Sequence, residues 1–441
     1  MLVDPSRRAL LALALGAFGI ATGEFVTLGL LPQMSASLHV TIPQTGHLIS
    51  AYALGVVVGG PLLTAAAVRL PRKGLLLALT AALAAGNFLS AVAPEFSGLL
   101  VARFLSGLPH GAYFGAAAVA AGNLVDAPRR NAAMALVFSG FTVANVVGVP
   151  LTTLIGQHDG WRFVFVLVGL IEVIAMLGIL LLVPVQAVVP GAARPGLRRE
   201  LFAFRDVQVW LALGIAAIGG GAMFATFSYI TPMMIHLAGY SEGSITGLLV
   251  LFGIGMTAGN VVGARLTEGA LMRTICVSLA SQVVIALVFV FTAHHKLAAA
   301  ITIVLFPFTT IAMVPPLQLR LITLAGGAPN LAAASVHSAF NVANSLGAWL
   351  GGLTISAGFG YGSPNVVAAG LAGLGLALAV VSGRLGRRKP RHRLDAATAR
   401  SRMFLPSFAS MAALGPGWTD RAVGPSRAGT ATRRRARSNP S

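Results

Sequence analysis

Twelve long apolar stretches, separated by short polar gaps, make up most of the 441 residues. A helix needs about 20 mostly apolar residues to cross a bilayer, and each stretch is near that length. None shows the strict alternation over about ten residues that is typical of membrane barrel strands. The pattern therefore predicts an all-α integral membrane protein, with transmembrane helices near residues 9–31, 46–68, 74–94, 98–121, 132–156, 162–184, 209–233, 244–266, 271–293, 297–322, 329–357 and 363–385.

The first apolar stretch follows Arg7 and Arg8 and resembles a secretory signal peptide in its placement. It is longer than a typical signal core, it contains Glu24, and it lacks a small-residue cleavage site. We therefore interpret this stretch as the first transmembrane helix.

The two halves of the chain share an internal repeat. Residues 139–151 and 338–350 carry the same residue at seven of thirteen positions, with Asn145 aligned to Asn344. A second match at nearly the same offset consists of glycines: Gly55 with Gly255 and Gly59 with Gly259. Repeated halves around a central pathway are typical of secondary transporters. The repeat predicts two pseudo-symmetric six-helix bundles.

The repeat and the composition together predict four regions. They are an N-terminal bundle at residues 1–184, a middle loop at 185–208, a C-terminal bundle at 209–385 and a basic, disordered tail at 386–441. The tail holds 13 of the 31 Lys and Arg residues and much of the net charge of +19. We expect it to contact anionic lipid headgroups, so the basic charge does not indicate a nucleic-acid partner.

The remaining basic residues indicate the orientation of the helices. With the N-terminus in the cytoplasm, fourteen Lys and Arg residues lie in inner loops or near inner helix ends, whereas only Arg162 and Lys296 lie outside. Because basic residues concentrate on the cytoplasmic side, we predict a multi-pass protein whose two termini and middle loop are cytoplasmic.

Four motifs fall in order on the predicted helices, at residues 23–32, 103–111, 140–156 and 160–162. In this order they resemble the signatures of the major facilitator superfamily, specifically its twelve-span drug:proton antiporters. The likeness is closest to the bacterial chloramphenicol-resistance and arabinose-efflux type permeases, and it covers about residues 8–385. In the family's fourth-span motif, the arginine that matches Arg103 is implicated in proton coupling.

The resemblance implies a secondary transporter of the bacterial inner membrane that functions as a monomer. It implies proton-coupled efflux of small lipophilic drugs such as chloramphenicol by alternating access. The partners are then the substrate, protons and the bilayer, and a proton gradient replaces any cofactor. We expect gating or helix-packing roles for Gly107, Gly111, Gly148, Pro150, Arg69, Arg72, Gly255 and Gly259.

The loop between the second and third helices departs from the family pattern. That pattern has a glycine, three residues, an aspartate and then a basic cluster. Here Thr64 and Pro71 stand at glycine positions and Val68 at the acid position, while Arg69 and Arg72 remain. The charge pair usually attributed to this loop cannot form in its usual way.

Ionisable groups inside membrane helices are costly and mark candidate functional sites. At 1.5 Å per residue, Glu24 and Arg103 lie at similar depths below the outer end, and His110 follows Arg103 by seven residues on nearly the same face. A carboxyl group that moves between an apolar environment and an arginine can take up and release a proton. We predict Glu24 as the protonatable switch, with Arg103 and His110 as its coupling partners, and purely structural roles stay open as the alternative.

A substrate cavity can be suggested from polar and aromatic residues on the same helices. The candidates are Tyr52, Phe114, Asn145, Phe227 and Asn344, with ordinary packing as the alternative for each. For Glu172 a structural hydrogen bond or a protonated packing role is favoured, because its helix is peripheral in the resembled fold. For His337, hydrogen bonding between helices is favoured over a place in the cavity.

The sequence contains no motif of an enzyme. There is no phosphate-binding loop, no His-Glu-x-x-His helix and no Gly-x-Ser-x-Gly elbow. The single cysteine, Cys276, excludes an internal disulfide and a multi-cysteine metal site. We expect neither catalysis nor a metal. The alternatives that stay open are export of sugars or other small metabolites, which predicts a polar cavity, and a membrane receptor that does not transport.

Overall fold

The computed structural model describes residues 5–66, 71–185, 205–267, 271–325 and 329–388. In these ranges the chain is helical throughout, without β-strands, so the predicted all-α fold class is confirmed. The predicted middle loop and basic tail lie almost entirely outside the described residues, as does Arg69. The described residues group into one compact unit, and the division into two bundles stays a prediction.

Six helices form the first half of the chain. Their bounds are α1 Pro5–Leu38, α2 Ile42–Ala66, α3 Arg72–Val92, α4 Phe96–Asn123, α5 Arg130–Asp159 and α6 Trp161–Leu182. Most ends fall within a few residues of the hydropathy prediction. Helix α1 is longer at both ends because it continues into polar sequence, which hydropathy does not record.

Six further helices form the second half. They are α7 with segments Val207–Phe227 and Ile230–His236, α8 Glu242–Leu266, α9 Leu271–Thr292, α10 with segments Lys296–Ala312 and Val314–Ala325, α11 Pro329–Ser356 and α12 Pro364–Arg388. By length and composition, ten of the helices in the described chain could cross a membrane. Helices α4 and α11 are as long but less apolar, since they carry much of the polar chemistry described below.

Proline explains two irregularities in the helices. In α5 a π-helical turn spans Ala144–Gly148, where the Val149 N–H donates to the carbonyl of Ala144, and the next residue is Pro150, which has no N–H. Helix α7 is interrupted just before Ile230, and Pro232 explains the break, because a proline ring clashes with the carbonyl four residues earlier. The predicted residues Gly148 and Pro150 thus lie at a distortion in the middle of a membrane helix.

The repeated glycines make equivalent helix contacts in the two halves. A side chain on Gly59 of α2 would collide with the backbone of Leu108 on α4. A side chain on Gly259 of α8 would collide with the backbone of Phe308 on α10. Gly55 and Gly255 face the same partner helices, against the carbonyls of Phe104 and Val304 respectively. Close approach of two helix backbones therefore explains these four glycines.

The two halves meet along two helix pairs that are equivalent under the repeat. Helix α2 packs against α11, and α5 packs against α8. Around the outside of the bundle, large apolar side chains such as Leu181, Phe291 and Leu297 remain at least three-quarters exposed. Apolar surface of this kind is suited to lipid rather than water, which agrees with the predicted membrane location.

Candidate functional site

The carboxyl group of Glu24 lies where the two halves of the chain meet. Glu24 is on α1 and is 6% exposed. Its Oε1 accepts a hydrogen bond of 3.2 Å from Nδ2 of Asn344 on α11. The other polar atom of this amide, Oδ1, has no hydrogen-bond partner among the described residues. An amide of the second half therefore holds the acid of the first half in a nearly water-free contact.

His110 on α4 connects Glu24 to Tyr52 on α2. Nδ1 of His110 lies 3.9 Å from Oε2 of Glu24 and 3.1 Å from the hydroxyl of Tyr52. The first distance allows attraction between the charged forms but is too long for a direct hydrogen bond. The second is a hydrogen bond whose donor depends on the tautomer of the imidazole. His110 is therefore hydrogen-bonded to Tyr52, and the carboxyl group of Glu24 lies within electrostatic range of the same imidazole nitrogen.

Arg103 is completely buried and reaches these side chains through aromatic rings. The centre of its guanidinium group lies 4.4 Å from the ring centroid of Tyr52 and 5.4 Å from that of Phe165 on α6. None of its three nitrogens has a hydrogen-bond partner among the described residues. Arg103 therefore forms no direct ion pair with Glu24 within the described chain. Its charge acts on Glu24 across Tyr52, over the low-dielectric interior.

An aromatic cluster lies beside His110 and spans both halves. The ring of Phe114 is 5.3 Å from the ring of His110 and stacks on Phe138 of α5 at 5.3 Å. His337 of α11 stacks on Phe114 at 6.1 Å and on Phe138 at 6.3 Å, with interplanar angles of 6° and 9°. We call Phe114, Phe138 and His337 the aromatic wall.

His337 also indicates open space between the halves. It is exposed even though its ring stacks on Phe114 and Phe138 of the opposite half. A ring held in this way faces the interior of the bundle rather than lipid. We infer that the space between the halves opens on the side of His337, toward the start of α11, which is the inner end in the predicted orientation.

Asn145, the repeat partner of Asn344, has different contacts. Its Nδ2 donates 2.8 Å to the carbonyl of Phe141 on the same helix, and its Oδ1 has no partner among the described residues. A side chain on Gly253 of α8 would collide with the Asn145 carbonyl. Asn145 therefore lies at the contact between α5 and α8, and the structure gives it no contact with Glu24.

Phe227 lies on α7 in a narrow apolar cleft, within a cluster made mostly of second-half residues that also includes Phe25 and Leu28 of α1. Its ring centroid is 4.5 Å from that of Phe252 and 6.0 Å from that of Phe306. The cleft is lined by Phe227, Ile230, Thr231, Met234, Ile245, Leu248, Leu249, Phe252 and Ile303. Hydropathy cannot set the rotation of a helix, so the sequence could not separate this cleft from the site around Glu24. A role for Phe227 in substrate binding stays a prediction.

The remaining predicted packing residues lie on α4 and at the start of α3. A side chain on Gly107 would collide with the carbonyl of Tyr52, and one on Gly111 would approach the Cα of Gly60. These two glycines hold α4 against α2 and so position both His110 and Tyr52. Arg72 is the first residue of α3. Residues 67–70 of the loop before it, which departs from the family pattern, lie outside the described residues.

Hydrogen bonds join the two halves at the end of the bundle that the predicted orientation places outside. Nε2 of Gln33 on α1 donates 3.1 Å to Oε2 of Glu242 on α8, and Nε2 of Gln157 donates 2.9 Å to the backbone carbonyl of Glu242. The hydroxyl of Thr231 donates 2.7 Å to the carbonyl of Leu28. Nothing in the sequence points to these hydrogen bonds, because exposed polar residues at helix ends carry no distinctive signal.

Two further site residues were missed for different reasons. Phe138 precedes Asn145 by seven residues, so the helical period could have placed both on one face. Phe165 contacts Arg103 only because α6 packs beside the first helices. No local pattern in the sequence predicts that contact.

The described residues offer no place for a metal ion. No three His, Cys, Asp or Glu side chains among them come together in a group that could hold one. His294 and His295 are exposed between α9 and α10, and Cys276 is half-buried in α9.

Comparisons with known proteins agree with this picture. The family model of the Major Facilitator Superfamily matches residues 13–352. The inner membrane transport protein YdhP of Escherichia coli is 40% identical over 375 residues, which is 85% of this chain and 96% of that protein. A chloramphenicol resistance protein of Streptomyces lividans is 32% identical over 373 residues, which is 84% of this chain and 94% of that protein.

A similar solved structure is that of a bacterial homologue of the human lysosomal transporter Spinster, in an inward-facing and occupied conformation. The TM-score is 0.69 at 16% identity, and the match covers 87% of this chain and 98% of that one. At this identity the likeness shows the fold alone.

Proposed function

Since the chain belongs to the major facilitator superfamily, a family of membrane transporters, we propose that it exports small lipophilic compounds in exchange for protons. The compounds would leave by alternating access, in which the two halves rock around a site between them. We place the protein in the bacterial inner membrane as a monomer, with both termini in the cytoplasm. The chloramphenicol resistance protein among its relatives makes chloramphenicol the first compound to test.

One observation carries this proposal: the acid Glu24 lies at the contact of the halves, close to a cluster of aromatic rings to which both halves contribute. Glu24 is hydrogen-bonded to Asn344 of the other half and lies near His110. The ring of His110 contacts Phe114, and His337 of the other half stacks on Phe114. Aromatic rings suit an apolar cargo, whereas a sugar needs many hydrogen-bonding partners. The aromatic wall therefore favours lipophilic compounds over the sugar alternative.

The geometry supports a simple exchange of substrate and proton. The ionised carboxylate of Glu24 makes a charge-assisted hydrogen bond with Asn344, which is stronger than a bond between neutral groups. Protonation of Glu24 weakens that bond and so loosens the contact between the halves. Substrate binding near Glu24 would drive the proton off on the inner side, and a proton from the outside would replace the substrate after the halves rock.

Arg103 and His110 assist this exchange in different ways. The charge of Arg103 lies behind the Tyr52 ring and favours the ionised form of Glu24. His110 lies between Glu24 and the hydroxyl of Tyr52 and can pass a proton along this line. Arg103 and His110 are both buried, so we assign them to the proton step rather than to direct contact with the substrate.

The test is drug accumulation in a bacterium that lacks its own efflux pumps. We expect cells expressing the protein to accumulate less chloramphenicol than control cells, and a protonophore to abolish the difference. The variant Glu24→Gln should behave like the empty control, whereas Glu95→Gln, the same change at an exposed position before α4, should behave like the wild type. Unchanged accumulation across a panel of lipophilic drugs would overturn the proposal, and reduced accumulation of a labelled sugar would favour the alternative.

A further inference from the structure

A second carboxyl group lies buried in the first half, away from the contact between the halves. Glu172 is on α6 and is 0% exposed. Neither Oε1 nor Oε2 has a hydrogen-bond partner among the described residues. The sequence favours either a structural hydrogen bond or a protonated packing role for Glu172. The hydrogen bond is not found in the described chain, which leaves the protonated carboxyl group.

Helix α1 covers this carboxyl group with its backbone. A Cβ atom placed on Gly19 would lie 2.8 Å from Cδ of Glu172. One turn later, a Cβ atom on Gly23 would lie 3.3 Å from Oδ1 of Asn87 on α3, another oxygen without a partner among the described residues. The glycine face of α1 thus lies against two oxygens that lack donors, and Glu24 projects from a neighbouring face of the same helix.

The groups around Glu172 supply no counter-charge in contact with it. Two buried phenols, Tyr113 of α4 and Tyr52 of α2, lie within electrostatic range of the carboxyl group. The hydroxyl of Tyr113 donates 2.8 Å to the carbonyl of Leu13. The other ionisable residues of the helices packed on α6 lie elsewhere along α1, at the start of α3 or at the ends of α5: Arg7, Arg8, Glu24, Arg72, Lys73, Arg130, His158 and Asp159.

The first half also holds a buried cation whose nitrogens lack acceptors. Arg103 packs on Phe165, which precedes Glu172 by seven residues on α6. At 1.5 Å per residue this corresponds to about 10 Å along the helix. A buried acid without donors and a buried cation without acceptors therefore lie two helical turns apart.

An ionised carboxylate without donors or a counter-charge is strongly disfavoured in an apolar interior. Glu172 must therefore carry a proton in the conformation described here. Helix α1 seals the carboxyl group, and α1 also carries Glu24, so a movement of α1 during alternating access would change the surroundings of both acids together.

We propose that Glu172 is a second proton-binding site, loaded when α1 lies against it and unloaded when α1 moves away. The proposal rests on the alternating access of the proposed function, but it does not depend on the identity of the cargo. Glu24 responds to the other half of the protein through Asn344. Glu172 responds to α1 within its own half, and the export cycle would carry a proton at each acid.

The first experiment needs no transported compound. Infrared difference spectra of the purified protein in lipid nanodiscs are recorded across the pH range in which it stays folded. We expect an absorption of a protonated carboxyl group that Glu172→Gln removes, that Glu24→Gln and Glu95→Gln retain, and that disappears reversibly as the pH rises. If this absorption persists at every pH, or if Glu172→Gln removes none, the proposal is overturned.

The second experiment counts protons in liposomes that contain the protein. We expect Glu172→Gln to transport chloramphenicol with one proton fewer per molecule than the wild type, and Glu172→Asp to restore the original ratio. An unchanged ratio in Glu172→Gln would overturn the proposal. If the wild type moves no chloramphenicol, the proposed cargo fails, and the infrared result alone then decides the role of Glu172.

Discussion

The two halves of the protein share a helical frame but differ in their buried chemistry. Among the described residues, every buried Asp, Glu, Lys, Arg or His belongs to α1–α6: Glu24, Arg103, His110 and Glu172. The buried polar side chains of α7–α12 are amides and hydroxyls, of which Asn344 reaches across to Glu24. Most of the apolar cluster around Phe227 also comes from the second half, with Phe25 and Leu28 of α1 among its members from the first.

The comparison separates features that the repeat keeps in both halves from features found in one half only. The glycine contacts between α2 and α4 recur between α8 and α10, so the repeat preserves this helix packing in both halves. The ionisable groups do not recur. Under the proposed function, the first half would therefore bind the protons, and the second half would respond through Asn344 and the stacked His337.

The largest effects on stability should come from disrupting the equivalent glycine contacts of the two halves. In Gly59→Ala and Gly259→Ala, the new methyl group would meet the backbone of Leu108 or Phe308. Overpacking of this kind costs about 1–3 kcal/mol, and we expect a similar loss of thermal stability in both variants. The measurement is thermal unfolding followed by size-exclusion chromatography.

The matched controls for this experiment are glycines with open space around them. Gly115 of α4 and Gly247 of α8 have nothing within 4 Å of an added Cβ atom. Since alanine is the better helix former by about 1 kcal/mol, Gly115→Ala and Gly247→Ala should be neutral or slightly stabilising. A large loss in only one half would contradict the equivalence of the two frames.

The next largest effects concern Arg103, which belongs to the first half alone. Arg103→Gln removes the charge, and we expect it to abolish the pH dependence of transport. Arg103→Lys keeps the charge but loses the planar stacking on Tyr52 and Phe165, which is worth about 0.5–2 kcal/mol. The lysine variant should therefore keep the pH dependence at a reduced rate. Identical pH profiles for the wild type and the glutamine variant would remove Arg103 from proton coupling.

The repeat pair of asparagines provides a smaller and sharper comparison. Asn344→Ala removes a hydrogen bond to a carboxyl group, worth about 1.5–3 kcal/mol if the group is charged, whereas Asn145→Ala removes a bond to a backbone carbonyl worth about 1 kcal/mol. We expect only Asn344→Ala to shift the pH profile of transport. Equal shifts in the two variants would show that the halves share the proton step.

The smallest effect should come from the hydrogen bonds that join the halves at the predicted outer end. Gln33→Ala removes one exposed hydrogen bond to Glu242, worth about 0.5–1.5 kcal/mol. We expect a few-fold increase in the population that is open at the outer end, measured by distance distributions between spin labels. Gln33→Glu should increase it further, because two carboxylates would then face each other. No change in either variant would mean that the closure does not depend on this contact.

The sequence predicted the frame of the protein far better than the contacts within the site. Long apolar stretches specify membrane helices, and the helical period placed Arg103 and His110 on one face, where both meet Tyr52. The bond between Glu24 and Asn344 joins residues 320 positions apart, and only the packing of the two halves against each other brings them together. The stacking of His337 on Phe114 and Phe138 likewise depends on how two halves meet, which no local pattern encodes.

For Glu172 the sequence predicted the position within a membrane helix but not the groups that surround the carboxyl group. Hydropathy places it in the middle of a helix, but its exposure and its lack of hydrogen bonds follow from the packing of α1 at Gly19. The sequence does not show which side chain will pack against a given glycine.

The most direct test of the whole account is transport by Glu24→Gln in liposomes with an imposed pH gradient. Two quantities are measured for chloramphenicol, or for the drug of the panel with the largest accumulation difference: uptake driven by the gradient, and exchange of labelled for unlabelled drug without a gradient. We predict that Glu24→Gln loses the driven uptake and retains the exchange, while Glu95→Gln retains both. Driven uptake at the wild-type rate in Glu24→Gln would contradict the account.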